Sequence, residues 1–152
     1  MLFGNKNESN LRSALKMVEE TLLSLAPEYV LEPVGPGTAF SWRLHKGSIV
    51  IHTALRTRDE GNYLRVVASL PARESPDAAF YRRLLELNGG ELSGAAFALE
   101  DGALVICLER TTVDLDQSEV SDAVRRITAY AERYQDVGSQ SPQNSPANSS
   151  PT

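Results

Sequence analysis

Between Phe40 and Leu70, apolar and polar residues alternate almost one for one through three successive runs, with only short turn-forming segments between them. Phe40, Trp42 and Leu44 alternate with Ser41, Arg43 and His45. Ile49, Ile51, Thr53 and Leu55 alternate with Val50, His52, Ala54 and Arg56, and Leu64, Val66, Ala68 and Leu70 with Tyr63, Arg65, Val67 and Ser69. A period of two places each set on one face of a strand. Lys46-Gly47 and the charged segment Thr57 to Asn62 are read as the two turns, and Pro71 as the stop. A parallel sheet is thereby excluded, because each parallel crossover takes a dozen or more residues.

The rest of the chain supplies helices and one more hairpin. From Asn10 the residues Leu11, Ala14, Leu15, Val18, Leu22 and Leu25 recur at helical spacing, with Ser9 or Asn7 as the expected cap and Pro27 as the terminator. Pro33 to Gly37 reads as a loop. Ser75-Pro76 is the expected start of a second helix that runs to about Leu87 and is ended by Asn88-Gly89-Gly90. Asp101-Gly102, between Ala95–Leu99 and Leu104–Leu108, is a hairpin turn. Asp116 followed by Glu119 forms a capping box for a third helix, lined on one face by Val120, Ala123, Val124, Ile127, Tyr130, Ala131 and Tyr134. The order αβββαββα predicts an α+β domain: a twisted, largely antiparallel five-stranded sheet with three helices.

Composition narrows the class. Hydrophobic residues make up 41% of the 152-residue chain, yet Gly138 to Thr152 holds one, Ala147, and no charge. Residues 1–137 are therefore expected to form one domain with a core large enough to fold without disulfides or metal, and 138–152 a disordered Ser/Pro/Asn/Gln-rich tail. No apolar run approaches the roughly 20 residues of a membrane span, and MLFGNKNESN lacks the apolar core of an export signal. With Cys107 as the only cysteine, a cytoplasmic, membrane-free setting is expected. The net charge of −5 has the wrong sign for nucleic acid. It is unevenly spread: Ser41 to Arg83 carries eight basic and four acidic residues, Leu84 to Asp136 four and eleven.

Nothing in the sequence marks a reaction centre. His45 and His52, the only histidines, fall on the polar side of adjacent strands, where they could meet across the turn, but no further ligand of metal-binding spacing accompanies them. GxSxG, GxxxxGK[ST] and GxGxxG are absent, and Glu100-Asp101 sits in an exposed turn. No enzyme activity, cofactor or metal is expected. The informative feature is the reverse face of the sheet, where Val50, Ala54, Val67, Val105 and Cys107 lie among Arg43, His52, Arg56, Tyr63 and Arg65. A face of arginine and tyrosine around an apolar centre has the makeup of an interaction surface; alternatively, helix two or a second copy of the chain covers it.

The element order, the segment from Arg82 to Thr111 and the stretch from Val113 to Tyr134 resemble the YbjN family, whose members share the fold of CesT-type type III secretion chaperones. The resemblance is carried by Leu84, Leu85, Leu87 and Asn88, by the small-residue strand Gly94 to Leu99, by Asp101-Gly102, and by Val113, Leu115, Asp116, Glu119 and Val120. It implies a non-enzymatic chaperone-like or regulatory adaptor, commonly dimeric, that holds a partner polypeptide. Arg43, Val50, His52, Arg56, Tyr63, Arg65 and Val67 are the expected contacts. The alternative is a regulator that binds a small anion between helix two and the sheet through Arg43, Arg65 and Arg82.

Overall fold

The computed structural model describes residues 2–32, 40–59 and 61–137. The loop read at Pro33 to Gly37 and the tail from Gly138 lie outside the described residues. The chain runs α1 (Leu2–Ser24), β1 (Val30–Glu32), β2 (Ser41–Lys46), β3 (Ile49–Arg58), β4 (Gly61–Ser69), α2 (Ala78–Gly90), β5 (Ala96–Glu100), β6 (Ala103–Thr111) and α3 (Gln117–Arg133). The strands form one sheet in the order β1-β2-β3-β4-β6-β5, every neighbour antiparallel.

The α+β architecture is the one that the alternation predicts, with six strands instead of five. The extra strand, β1, is three residues long and pairs Leu31 with Leu44 at the sheet edge. Its length spans only one and a half repeats of the in-out pattern, too few for alternation to reveal it. Other boundaries also move. The first helix begins at Leu2, which places Asn7 and Ser9 inside it rather than at its cap. The cap of α2 is Asp77, whose carboxylate accepts from Phe80 N at 2.8 Å, two residues beyond the expected Ser75. The first turn is Gly47-Ser48 and the second is shorter than expected, since β3 extends to Arg58. Asp101 and Gly102 both have positive φ, the conformation of a tight hairpin turn. The capping box at Asp116 and Glu119 is complete.

One face of the sheet is roofed. Leu44, Ile51, Leu64, Val66 and Ile106 are fully buried against Val18 and Leu22 of α1 and Val120, Val124 and Ile127 of α3. Tyr29, just beyond α1, closes this layer by donating its hydroxyl to Thr128 Oγ1 at 2.9 Å. Helix α2 lies along β5 and delivers Phe80 and Leu84 to the same core. It therefore extends the inner layer at the sheet edge and does not cover the reverse face.

Asn88 has a different task from the one its neighbours suggest. The helix continues through Gly90, and Asn88 turns its side chain to the outermost strand: Oδ1 accepts from Phe97 N at 2.7 Å and Nδ2 donates to Phe97 O at 3.2 Å. A side-chain amide thus takes the place of a further strand and satisfies the free edge of β5. Asn88→Ala leaves both Phe97 groups unpaired and is expected to lower unfolding free energy by about 1–3 kcal/mol. Asn88→Asp, which keeps only the acceptor, should fall between the two, as urea denaturation would show.

Candidate partner-binding face

The registers place the reverse-face residues in rows. Across one row lie Glu32, Arg43, His52, Val67, Cys107 and Ala96; the next holds Val30, His45, Val50, Ser69, Val105 and Ala98. A third row has Ser41, Ala54, Arg65 and Glu109, and Arg56 stands opposite Tyr63 beyond it. All seven expected contact residues therefore share one face and adjoin one another. The centre of the face is built from small or aliphatic side chains, and charged ones surround it.

Two of those central residues are unexpectedly dry. Val67 is 7% exposed and Val105 3%, although neither belongs to the core cluster that the helices share. Ion pairs cross the face beside them, around Cys107. Arg65 is set between two carboxylates, with one nitrogen 2.9 Å from Glu109 and another 3.1 Å from Glu100. Arg58 joins the same Glu109 oxygen. Glu100 pairs in register with Ala103, six positions along β6 from Glu109, a separation of roughly 20 Å on a flat strand. Two side chains cannot bridge that gap, so the β5–β6 hairpin must coil over the face, consistent with the right-handed twist of sheets. Between the two ends, on the same side of β6, lie Cys107 and Val105.

The electrostatics agree. Burial pushes the Cys107 thiol up, Arg65 partly opposing and Glu109 and Glu100 adding to the shift. Burial works to raise the Glu109 carboxyl, but hydrogen bonds from Arg65 and Arg58 outweigh it and hold the group below the ordinary carboxylate range. His52 is lowered by burial and then by Arg43, so its ring is neutral near pH 7. His45 does not join it as a metal pair; its Nε2 lies 2.6 Å from Glu32, which also receives Arg43 at 3.5 Å. No group of three or more potential metal ligands occurs among the described residues.

The arginines expected to form an anion site are dispersed. Arg43 meets Glu32 near the β1 edge, Arg65 is neutralised in the β4–β6 centre, and Arg82 pairs with Glu86 on the solvent side of α2. A cavity of about 300 Å³ opens elsewhere, between α1 and the β6–α3 connection, where Asn10, Ser13, Met17 and Thr112 line it with Asp114, a charge of the wrong sign for an anion. Sequence reasoning missed Glu100, Glu109 and Arg58. Parity alone places Glu109 beside Arg65, but no local pattern brings Glu100 there.

The family model described as "Putative bacterial sensory transduction regulator", YbjN, matches residues 14–137. The chain belongs to the YbjN family. No curated protein matches it. Among solved structures, the chain is similar in fold to a chain of the ExoT-SpcS complex from Pseudomonas aeruginosa, with a TM-score of 0.56, 16% identity, and 82% of this chain and 96% of that one covered. A chain of the HopA1-SchA chaperone-effector complex matches with a TM-score of 0.60 and 11% identity, covering 85% and 97%. The complex of the Yersinia pestis type III secretion chaperone SycH with a fragment of YscM2 matches with a TM-score of 0.54 and 15% identity, covering 79% and 98%. The secretion-chaperone-like fold implied by the sequence is thus the fold of this YbjN protein.

The lowered Glu109 carboxyl has a consequence for stability. A depressed pKa stabilises the folded state above the unfolded value and loses that contribution as the pH falls through the folded value. Wild type should therefore exceed Glu109→Gln in urea midpoint near neutrality, and the difference should shrink from about pH 5 downward.

Proposed function

We propose that this YbjN-family protein is a non-enzymatic, chaperone-like or regulatory adaptor that binds a partner polypeptide on the reverse face of its sheet. The observation that carries the reading is that this face has an apolar centre, no helical cover, and a border of Arg43, Arg56, His52 and Tyr63. Extended chain suits such a surface, because successive pleats offer alternating pockets to alternating side chains. Membership of a family described as regulatory, and a fold seen in chaperone-effector complexes, support the reading. Among the described residues no helix is long and apolar enough to cross a membrane, in keeping with a cytoplasmic role.

The protein acts as a homodimer in this reading, through a second surface. Tyr81 and Leu85, one turn apart on α2, are 36% and 70% exposed, and Leu99 on the adjoining β5 is 55% exposed. Three large apolar side chains on one flank are the makings of a self-complementary contact about a two-fold axis. Because Asn88 already satisfies Phe97 on that edge, the contact is one of side chains rather than of continuous backbone pairing.

Sedimentation and affinity capture separate the two surfaces. Leu85→Glu is expected to give a folded monomer, whereas Arg56→Glu with His52→Glu should remain dimeric. From the native cell extract the wild type should retain a specific polypeptide that the double face variant loses. Retention unaffected by the face variant, or a wild-type chain that is monomeric at all concentrations, contradicts the corresponding half of the proposal.

A further inference from the structure

The pair formed by Arg65 and Glu100 stands out because of what lies beneath it. Its two ends come from rows on either side of half-buried Cys107 and buried Val105. Arg65 is 13% exposed while Glu100, beside the Asp101-Gly102 turn, is 38% exposed. One end is therefore fixed and the other accessible. Glu109 holds Arg65 separately, through the other terminal nitrogen.

We propose that Glu100 is an internal stand-in for a carboxylate of the partner: its contact with Arg65 straps the apolar strip Val67–Cys107–Val105 shut, and an acidic, extended polypeptide segment opens the strap by taking its place. This deepens the adaptor reading and rests on it. The exchange replaces one carboxylate on the guanidinium with another, so Arg65 stays paired while Glu100, on an exposed turn, is released to water, and the strip becomes available to an aliphatic side chain neighbouring the incoming acid. Charge on the face favours an acidic occupant. The Nε of Arg65 is buried without an acceptor, and Arg56 has no acidic partner among the described residues. A second copy of the chain fits less well, since a two-fold contact through this face would set its arginines against themselves.

Cys107, the only cysteine, reports on the strap directly. Its alkylation by uncharged iodoacetamide is measured against pH in wild type and Glu100→Gln, a conservative change beside a surface turn. The midpoint of each profile carries the electrostatic effect of the lost charge, and the plateau carries access. A plateau about fivefold higher in the variant is expected for release of an exposed ion pair worth about 1 kcal/mol. High salt should raise the wild-type plateau and leave the variant unchanged. Equal plateaus overturn the strap, leaving the adaptor reading intact.

The occupant is tested with a short fluorescent peptide alternating glutamate and valine, beside its lysine counterpart. Glu100→Gln should bind the glutamate peptide about fivefold more tightly than wild type does, and neither should prefer the lysine peptide. If labelling shows the strap open in the variant but the glutamate peptide fails to bind, the acidic occupant and this face as its seat are overturned together. Larger assemblies of Glu100→Gln in sedimentation identify a second copy as the occupant and overturn the partner segment.

Discussion

The structure depends on an inequality between the two sides of one sheet. Antiparallel pairing fixes which side chains share a side, and the helices α1 and α3 take the side that carries Leu44, Ile51, Leu64, Val66 and Ile106. Burying such side chains contributes about 1.5–3 kcal/mol each relative to exposure, and their removal from water drives the layer together. Once that side is filled, no helix among the described residues is left for the other. Helix α2 sits at the β5 edge with Phe80 and Leu84 turned into the common core. The reverse side must therefore be covered by its own side chains, by water or by another molecule.

The cover it uses is made of charge. An exposed ion pair contributes little, because solvent competes for both ends and holding two long side chains costs entropy. Burying a charge without a partner costs several times more. Arg65 lies between those limits: sunk far enough to require carboxylates, and given two by Glu109 and Glu100. A lid of aliphatic residues would have sealed the strip against any partner lacking a larger apolar surface. An ionic lid can be replaced by a like group with small net change in free energy, which makes the dry strip beneath it conditionally available.

Much of this was legible in the sequence, and the parts that were not share a cause. Alternation at Phe40 to Leu70 located three strands and the face of every residue on them, because pleating makes side a matter of parity alone. The capping box at Asp116 and the Asp101-Gly102 turn were legible for the same reason: each is a bond or a dihedral settled within a few residues. Asn88 reads locally as a helix terminator, yet it bonds nine residues on to Phe97, and nothing in the Asn-Gly-Gly triplet announces an edge strand in need of a partner. Glu100 reads as an acid in an exposed turn. Its position over the sheet is a product of the accumulated coil of β4, β6 and β5, a property of the assembled sheet and of no single segment.

Family membership and fold bear on the charged lid in different ways. The likeness to secretion chaperones at 11 to 16% identity establishes how the backbone runs, and a shared backbone is compatible with unrelated partners. Selectivity must then reside in the side chains that the backbone displays. In this chain those are arginines around small residues, with an internal carboxylate already seated on the most buried of them. A partner that brings its own acid meets a guanidinium already held in place by Glu109, and the ordering cost of that guanidinium has been met in folding rather than in binding. A basic partner meets Arg56, which has no acidic partner among the described residues, so the same arrangement that admits one class of segment disfavours the other.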